Sequence, residues 1–139
     1  MKTRPYSSLI LSLCGLVLMG VGLYFALLRP AVLPEDARYL GMTATQIQIT
    51  VPGLARWLDK VFWVMGGYIF TTGLLTLSMA RTSVRARAPG AGWTIALAGV
   101  ASIGVMIATN FVLHSDFRWE LVGVALLWGA ALFLYAIGK

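Results

Sequence analysis

Four stretches of this chain contain no Asp, Glu, Lys or Arg, and their lengths leave little choice of fold. Arg4 to Arg29, Lys60 to Arg81, Arg87 to Asp116 and Glu120 to Lys139 bound interiors of 24, 20, 28 and 18 uncharged residues. A helix needs roughly 20 apolar residues to cross a hydrocarbon layer about 30 Å thick. The expected fold is therefore an all-α membrane protein, a four-transmembrane-helix bundle. One membrane domain covers 1–139, with spans at about 6–28, 61–80, 93–113 and 119–137 and a short helical outer loop at 29–60. An apolar fraction of 59% and a mean hydropathy of +0.83 exceed what a soluble domain of this length carries.

The charges sort by side. Threading the four spans through a bilayer puts Lys2, Arg4, Arg81, Arg85, Arg87 and Lys139 on one face with no acid. The other face holds Arg29, Arg38, Arg56, Lys60 and Arg118 against Glu35, Asp36, Asp59, Asp116 and Glu120, so the whole formal charge of +6 lies on the first. Lys and Arg in short loops stay on the cytoplasmic side. Both termini are expected in the cytoplasm. Topology accounts for the basic balance, and nucleic acid is not implied. The first span has a basic start, but its apolar run from Ser7 to Leu28 is longer than a signal-peptide core and no small-x-small site precedes Arg29, so it reads as a retained helix.

Small residues mark the expected helix contacts. Ser8, Ser12, Gly15, Met19, Gly22 and Ala26 follow spacings of three and four and share one stripe of the first span. Gly66, Gly73 and Ala80 recur every seven residues in the second, and Ala101, Gly104 and Ala108 would line one side of the third. Arg29 and Pro30 stop the first span, since proline cannot continue the hydrogen-bond ladder. In the outer loop, Pro34, Glu35 and Asp36 read as a first helical turn with Gly41 as its stop. Thr43 with Gln46 fits a capping box. A strand from Gln46 to Val51 competes by its alternation, but Ile47, Val51, Leu54 and Leu58 keep helical spacing, broken at Pro52. The Arg81 to Gly92 loop, rich in Gly and Pro, reads as a flexible turn. Trp57, Phe117 and Trp119 supply one aromatic belt, and Tyr6, Trp93 and Tyr135 the other.

Chemistry-bearing residues are few. Cys14 stands alone, which excludes an intrachain dithiol and reads as a small buried apolar residue. No ionisable residue lies within a span, which weighs against a proton-coupled exporter. Asn110 is the most polar side chain in the spans and should bond across the bundle. His114 follows four residues later, on the same face of the helix. Together they are the candidate ligand or interhelix polar site. His114 with Asp116, Glu120 and Glu35 or Asp36 could be drawn as a metal site, but zinc commonly takes more than one His. No catalytic, metal or cofactor-binding residue is assigned, and no cofactor. The outer acids are expected to pair with Arg38, Arg56, Lys60 and Arg118, and Trp63 and Trp128 to pack inside their spans.

The run Leu33, Pro34, Glu35, Asp36, Arg38, Tyr39, Leu40, Gly41, followed by Trp57, Leu58, Val61, Phe62, Gly66, Gly67, Tyr68, Gly73, Leu74 and Leu75, resembles small bacterial four-helix membrane proteins, broadly the DoxX-like class. The resemblance implies a compact inner-membrane bundle and carries no active site. The expected function is that of a non-enzymatic accessory or interaction subunit, in contact with the lipid bilayer and with a membrane-protein partner or further copies of itself. The alternative is a carrier, channel or lipid- or small-molecule-binding protein with a site under the outer loop. Topology is directly testable: in a Cys14-free background, a cysteine replacing Ser83 should label from the cytoplasm and one replacing Thr45 from outside. Labelling of both from one side would remove the four-span arrangement.

Overall fold

A computed structural model describes residues 4–138, with side chains from Tyr6 onward. Lys2, Lys139 and the Arg4 side chain, which enter the charge count, lie outside the described residues. The described chain is all-helical. Six helices follow in order: α1 Arg4–Leu27, α2 Pro34–Leu40, α3 Ala44–Thr50, α4 Leu54–Val84, α5 Ala91–Val112 and α6 Arg118–Ile137. Four of them, α1, α4, α5 and α6, are long and apolar enough to cross a membrane. Their outward faces carry exposed Leu23, Val64, Leu97, Val100, Leu126 and Phe133.

Local chemistry sets the short elements. The amides of Leu28 and Arg29 both donate to the Tyr24 carbonyl, and Pro30 then ends α1. At the start of α2 the Asp36 carboxylate accepts from the Leu33 amide at 2.8 Å. Gly41 closes it with φ +65°, its amide reaching the Arg38 carbonyl while the Met42 amide reaches Ala37. Thr43 and Gln46 make a reciprocal capping box, at 3.1 Å and 2.8 Å. That box and the burial of Ile47 decide for helix over strand in this segment.

The long helices are organised by the glycine seam. α1 and α4 run antiparallel with Gly15 against Gly73 and Gly22 against Gly66, so the two seven-residue repeats mesh in opposite directions. A methyl carbon built on Gly73 would stand 2.6 Å from the Gly15 carbonyl oxygen, and one on Gly66 would stand 2.5 Å from that of Gly22. Contacts that short mean backbone against backbone. The Ser8 hydroxyl extends the seam by donating to the Ala80 carbonyl at 2.6 Å, where the last turn of α4, Ala80–Val84, widens to π geometry.

α6 covers α1 on its other side, and α5 packs on α6 and on the end of α4. The expected stripe on α5 is not the one used. Ala101, Gly104 and Ala108 are exposed, and the packed face runs through Ala91, Ile95, Gly99 and Ile103. The reason lies in the partner: α6 offers the broad side chains of Trp128 and Tyr135, which need the small surface at Gly99 and Gly92. The Trp128 indole also donates to the Ile95 carbonyl at 3.2 Å. Trp128 is thus buried as expected, whereas Trp63 is 59% exposed with Lys60 over its ring.

The buried core, including Leu11, Cys14, Leu18, Ala80, Val84 and Ile95, lies toward the end where α4 turns into α5. That turn is pinned: Arg87 donates to the Tyr135 carbonyl at 2.8 Å and lies 4.6 Å from the centre of the Tyr135 ring. Gly22→Ala and Gly66→Ala should each lower stability by about 1–3 kcal/mol, because the new methyl meets backbone that cannot step aside. Gly20→Ala and Gly67→Ala, which meet nothing within 4 Å, should stay within roughly 0.5 kcal/mol of the parent. Thermal unfolding in detergent checks both, and equal effects in the two pairs would contradict the seam.

Candidate functional site

Away from this core, toward the α2 end of the bundle, the space between the long helices is not filled. A cavity of about 680 Å³ lies there, within the range of roughly 300–1,000 Å³ typical of sites for small organic molecules. α1 contributes Leu18, Val21, Tyr24 and Phe25, α4 contributes Phe62, Met65, Tyr68 and Ile69, and α5 contributes Val105, Met106 and Thr109, with Leu113 just past its end. Phe117 and Leu121 close the side toward α6. Tyr68 and Val105 line the cavity yet are 72% and 57% exposed, so it communicates with the outside of the bundle between α4 and α5.

The first turn of α2 forms a lid. Arg29, at the end of α1, donates to the Asp36 carboxylate at 3.0 Å and to the Pro30 carbonyl at 2.9 Å. Its guanidinium lies 3.7 Å from the centre of the Phe62 ring, a cation–π stack on α4. The side chain is 8% exposed, so one arginine ties α1, α2 and α4 together beside the cavity. A second tie runs to the α5–α6 turn. Glu35 is 4% exposed and accepts from the Ser115 hydroxyl at 3.2 Å. Farther out, Arg38 and Asp116 pair at 3.1 Å with both side chains well exposed.

This differs from the expected scatter of surface pairs. Asp36 is held by Arg29, which was not among the expected partners, and Glu35 is folded inward. Among the described residues Arg56, Lys60 and Arg118 make no ion pair; Arg118 donates instead to the Ser115 carbonyl at 3.1 Å. The place of Asp36 in the first turn of a Pro-initiated helix was legible, but its bond to the Leu33 amide was not. Nothing local signalled that its neighbour Glu35 would be buried against a serine eighty positions away.

Asn110 and His114 part company. Asn110 lines the cavity and is half-buried, but its amide donates to the Met106 carbonyl of its own helix at 2.9 Å and not across the bundle. His114 is not on the same helix face. α5 ends at Val112, and His114 takes φ +49° in the turn, exposed and outside the cavity. The Ser115 amide reaches back to the Asn110 carbonyl and the His114 amide to Phe111, the bonding of a helix stop with a left-handed residue. That stop directs Ser115 inward to meet Glu35. Among the described residues no group of three His, Cys, Asp or Glu side chains is arranged to hold a metal ion.

Compared with protein-family models, curated proteins and solved structures, the chain matches none. Since His114 serves as a backbone stop, His114→Gly should raise stability by about 1 kcal/mol, the order of the penalty a side chain carries in the left-handed region. A thermal melt checks this; a loss of stability would give the imidazole a role in contacts that the turn does not display.

Proposed function

We propose that this is a multi-pass inner-membrane protein, both termini cytoplasmic, that binds a lipophilic small molecule or lipid beneath its outer loop. The observation that carries this reading is the cavity: about 680 Å³ of space walled by aliphatic and aromatic side chains, with its charged groups gathered under α2. A bundle built only to present a surface gains stability from filling such a space. An opening between two apolar helices supports entry from within the bilayer, and the lid at Arg29 and Asp36 supports closure against water.

The charge distribution supports the orientation. Arg81, Arg85 and Arg87 lie at the end opposite α2, and the five acids lie toward the α2 end. A place among DoxX-like membrane proteins belongs to the same proposal, supported by the run from Leu33 to Gly41 and the glycines of α4. The accessory-subunit reading has its own support in the exposed small stripe of Ala101, Gly104 and Ala108, which a partner helix or a second copy could approach closely. The cavity outweighs it because it brings together residues of five helices.

Ser102 lines the cavity from α5, at the end away from α2. Ser102→Phe should weaken binding of a neutral lipophilic fluorophore to the purified protein by at least about tenfold, ~1.4 kcal/mol, with the circular dichroism spectrum unchanged. Unaltered binding would remove the cavity as the site.

A further inference from the structure

The cavity's polar groups are unequal in kind, and the imbalance describes a ligand. Its charged lining residues are Arg29, Glu35, Asp36 and Glu120. Arg29 and Asp36 neutralise one another, and the guanidinium is further held by the Pro30 carbonyl and the Phe62 ring. That leaves two carboxylates and, among the described residues that line the space, no unpaired cation: Arg38 is paired with Asp116 outside it, and neither Arg118 nor His114 lines it. Glu35 is the buried one of the two. Among the described residues its carboxylate receives a single hydrogen bond, from the neutral Ser115 hydroxyl. A carboxylate so removed from water wants two or more donors or a positive charge, and an unmet requirement of this kind is costly.

The neutral polar groups point the same way. Thr72 donates to the Tyr68 carbonyl, Ser102 to Ala98 and Asn110 to Met106, each within its own helix. The two hydroxyl hydrogens are thereby engaged, so Thr72 and Ser102 present acceptor oxygen to the cavity, and Asn110 presents its carbonyl oxygen and its second N–H. The hydroxyls of Tyr24, Tyr68 and Thr109 are further neutral donors among the lining side chains, and Glu35 is the buried acceptor. A site rich in acceptors, net negative and walled by aromatic faces suits an organic cation, which rings also attract directly.

From this we propose that the cavity takes a lipophilic amine, its ammonium bound at Glu35 and its apolar body lying among the side chains of α1, α4 and α5. The proposal rests on the reading of the cavity as a binding site. Two sources can present an ammonium on an apolar chain: a free lipophilic amine and the headgroup of an amino-phospholipid. The free amine is the assignment, because the phosphate of a phospholipid would need a cation, and Arg29 is already held by Asp36.

The test is native mass spectrometry of the full chain in a nonionic detergent with four probes: dodecylammonium, dodecanol, dodecanoate and phosphatidylethanolamine. Dodecylammonium should bind about tenfold or more tightly than dodecanol, the increment of a charge-assisted hydrogen bond over a neutral one. Glu35→Gln should abolish that preference while leaving dodecanol binding intact, which also shows that the cavity has kept its shape. Asp116→Asn, which removes an exposed acid outside the cavity, should keep the preference. Equal binding of dodecanol and dodecylammonium, or preference for dodecanoate, in the parent protein would overturn the amine while leaving the cavity reading standing. Binding of none of the four would overturn both. Glu35-dependent retention of phosphatidylethanolamine without a preference for dodecylammonium would overturn the free-amine assignment. The comparison of probes in the parent protein decides the matter even if Glu35→Gln does not fold.

Discussion

Everything in this bundle hangs on the contact of α1 with α4. Where Gly15 faces Gly73 and Gly22 faces Gly66, the two backbones touch, and dispersion between them replaces the side-chain interdigitation that larger residues would require. Close backbone approach of this kind is a source of attraction that does not depend on removing apolar surface from water. The Ser8 bond to the Ala80 carbonyl adds a directional element where α4 widens. With this pair rigid, the remaining helices need only close around it.

They do so unevenly, and the unevenness is what makes a cavity. α5 and α6 join through Trp128 and Tyr135, whose rings occupy the space vacated at Gly99 and Gly92, and this tight packing lies toward the α4–α5 connection. Toward α2, tyrosines and phenylalanines stand around empty volume. Closure there is left to a seven-residue helix held by charge and hydrogen bonds: Arg29 to Asp36, Glu35 to Ser115 and Arg38 to Asp116. A lid tied by a few polar contacts opens at far lower free energy than a packed helix.

The placement of Glu35 joins the fold to the chemistry. As the second residue of α2 it is set beside a capping aspartate, and the two carboxylates part in function. Asp36 accepts from the Leu33 amide and from Arg29, and so completes the loop. Glu35 turns toward the bundle with one hydroxyl for company and gives the cavity its sign. Of the cavity's charged lining residues, Arg29, Glu35 and Asp36 come from the segment that joins α1 to α4, and Glu120 comes from the first turn of α6.

Local patterns in the sequence were enough for the helices, the boundaries of the outer loop's short helix and the seam. Charge-free length, the Pro34 and Gly41 boundaries, the Thr43–Gln46 cap and the seven-residue spacing of Gly66 and Gly73 are all local, and helix geometry turns local spacing into a shared face. Tertiary structure alone decided which of those faces are used and which polar residues are enclosed. Ala101, Gly104 and Ala108 have the spacing of a seam but face outward, because the shape of α6 selects another side of α5. His114 falls outside the cavity because α5 stops two residues before it, and Glu35 falls inside because Ser115, eighty positions away, is brought beneath it. Burial depends on what distant segments place opposite a residue, and no spacing within a helix carries that information.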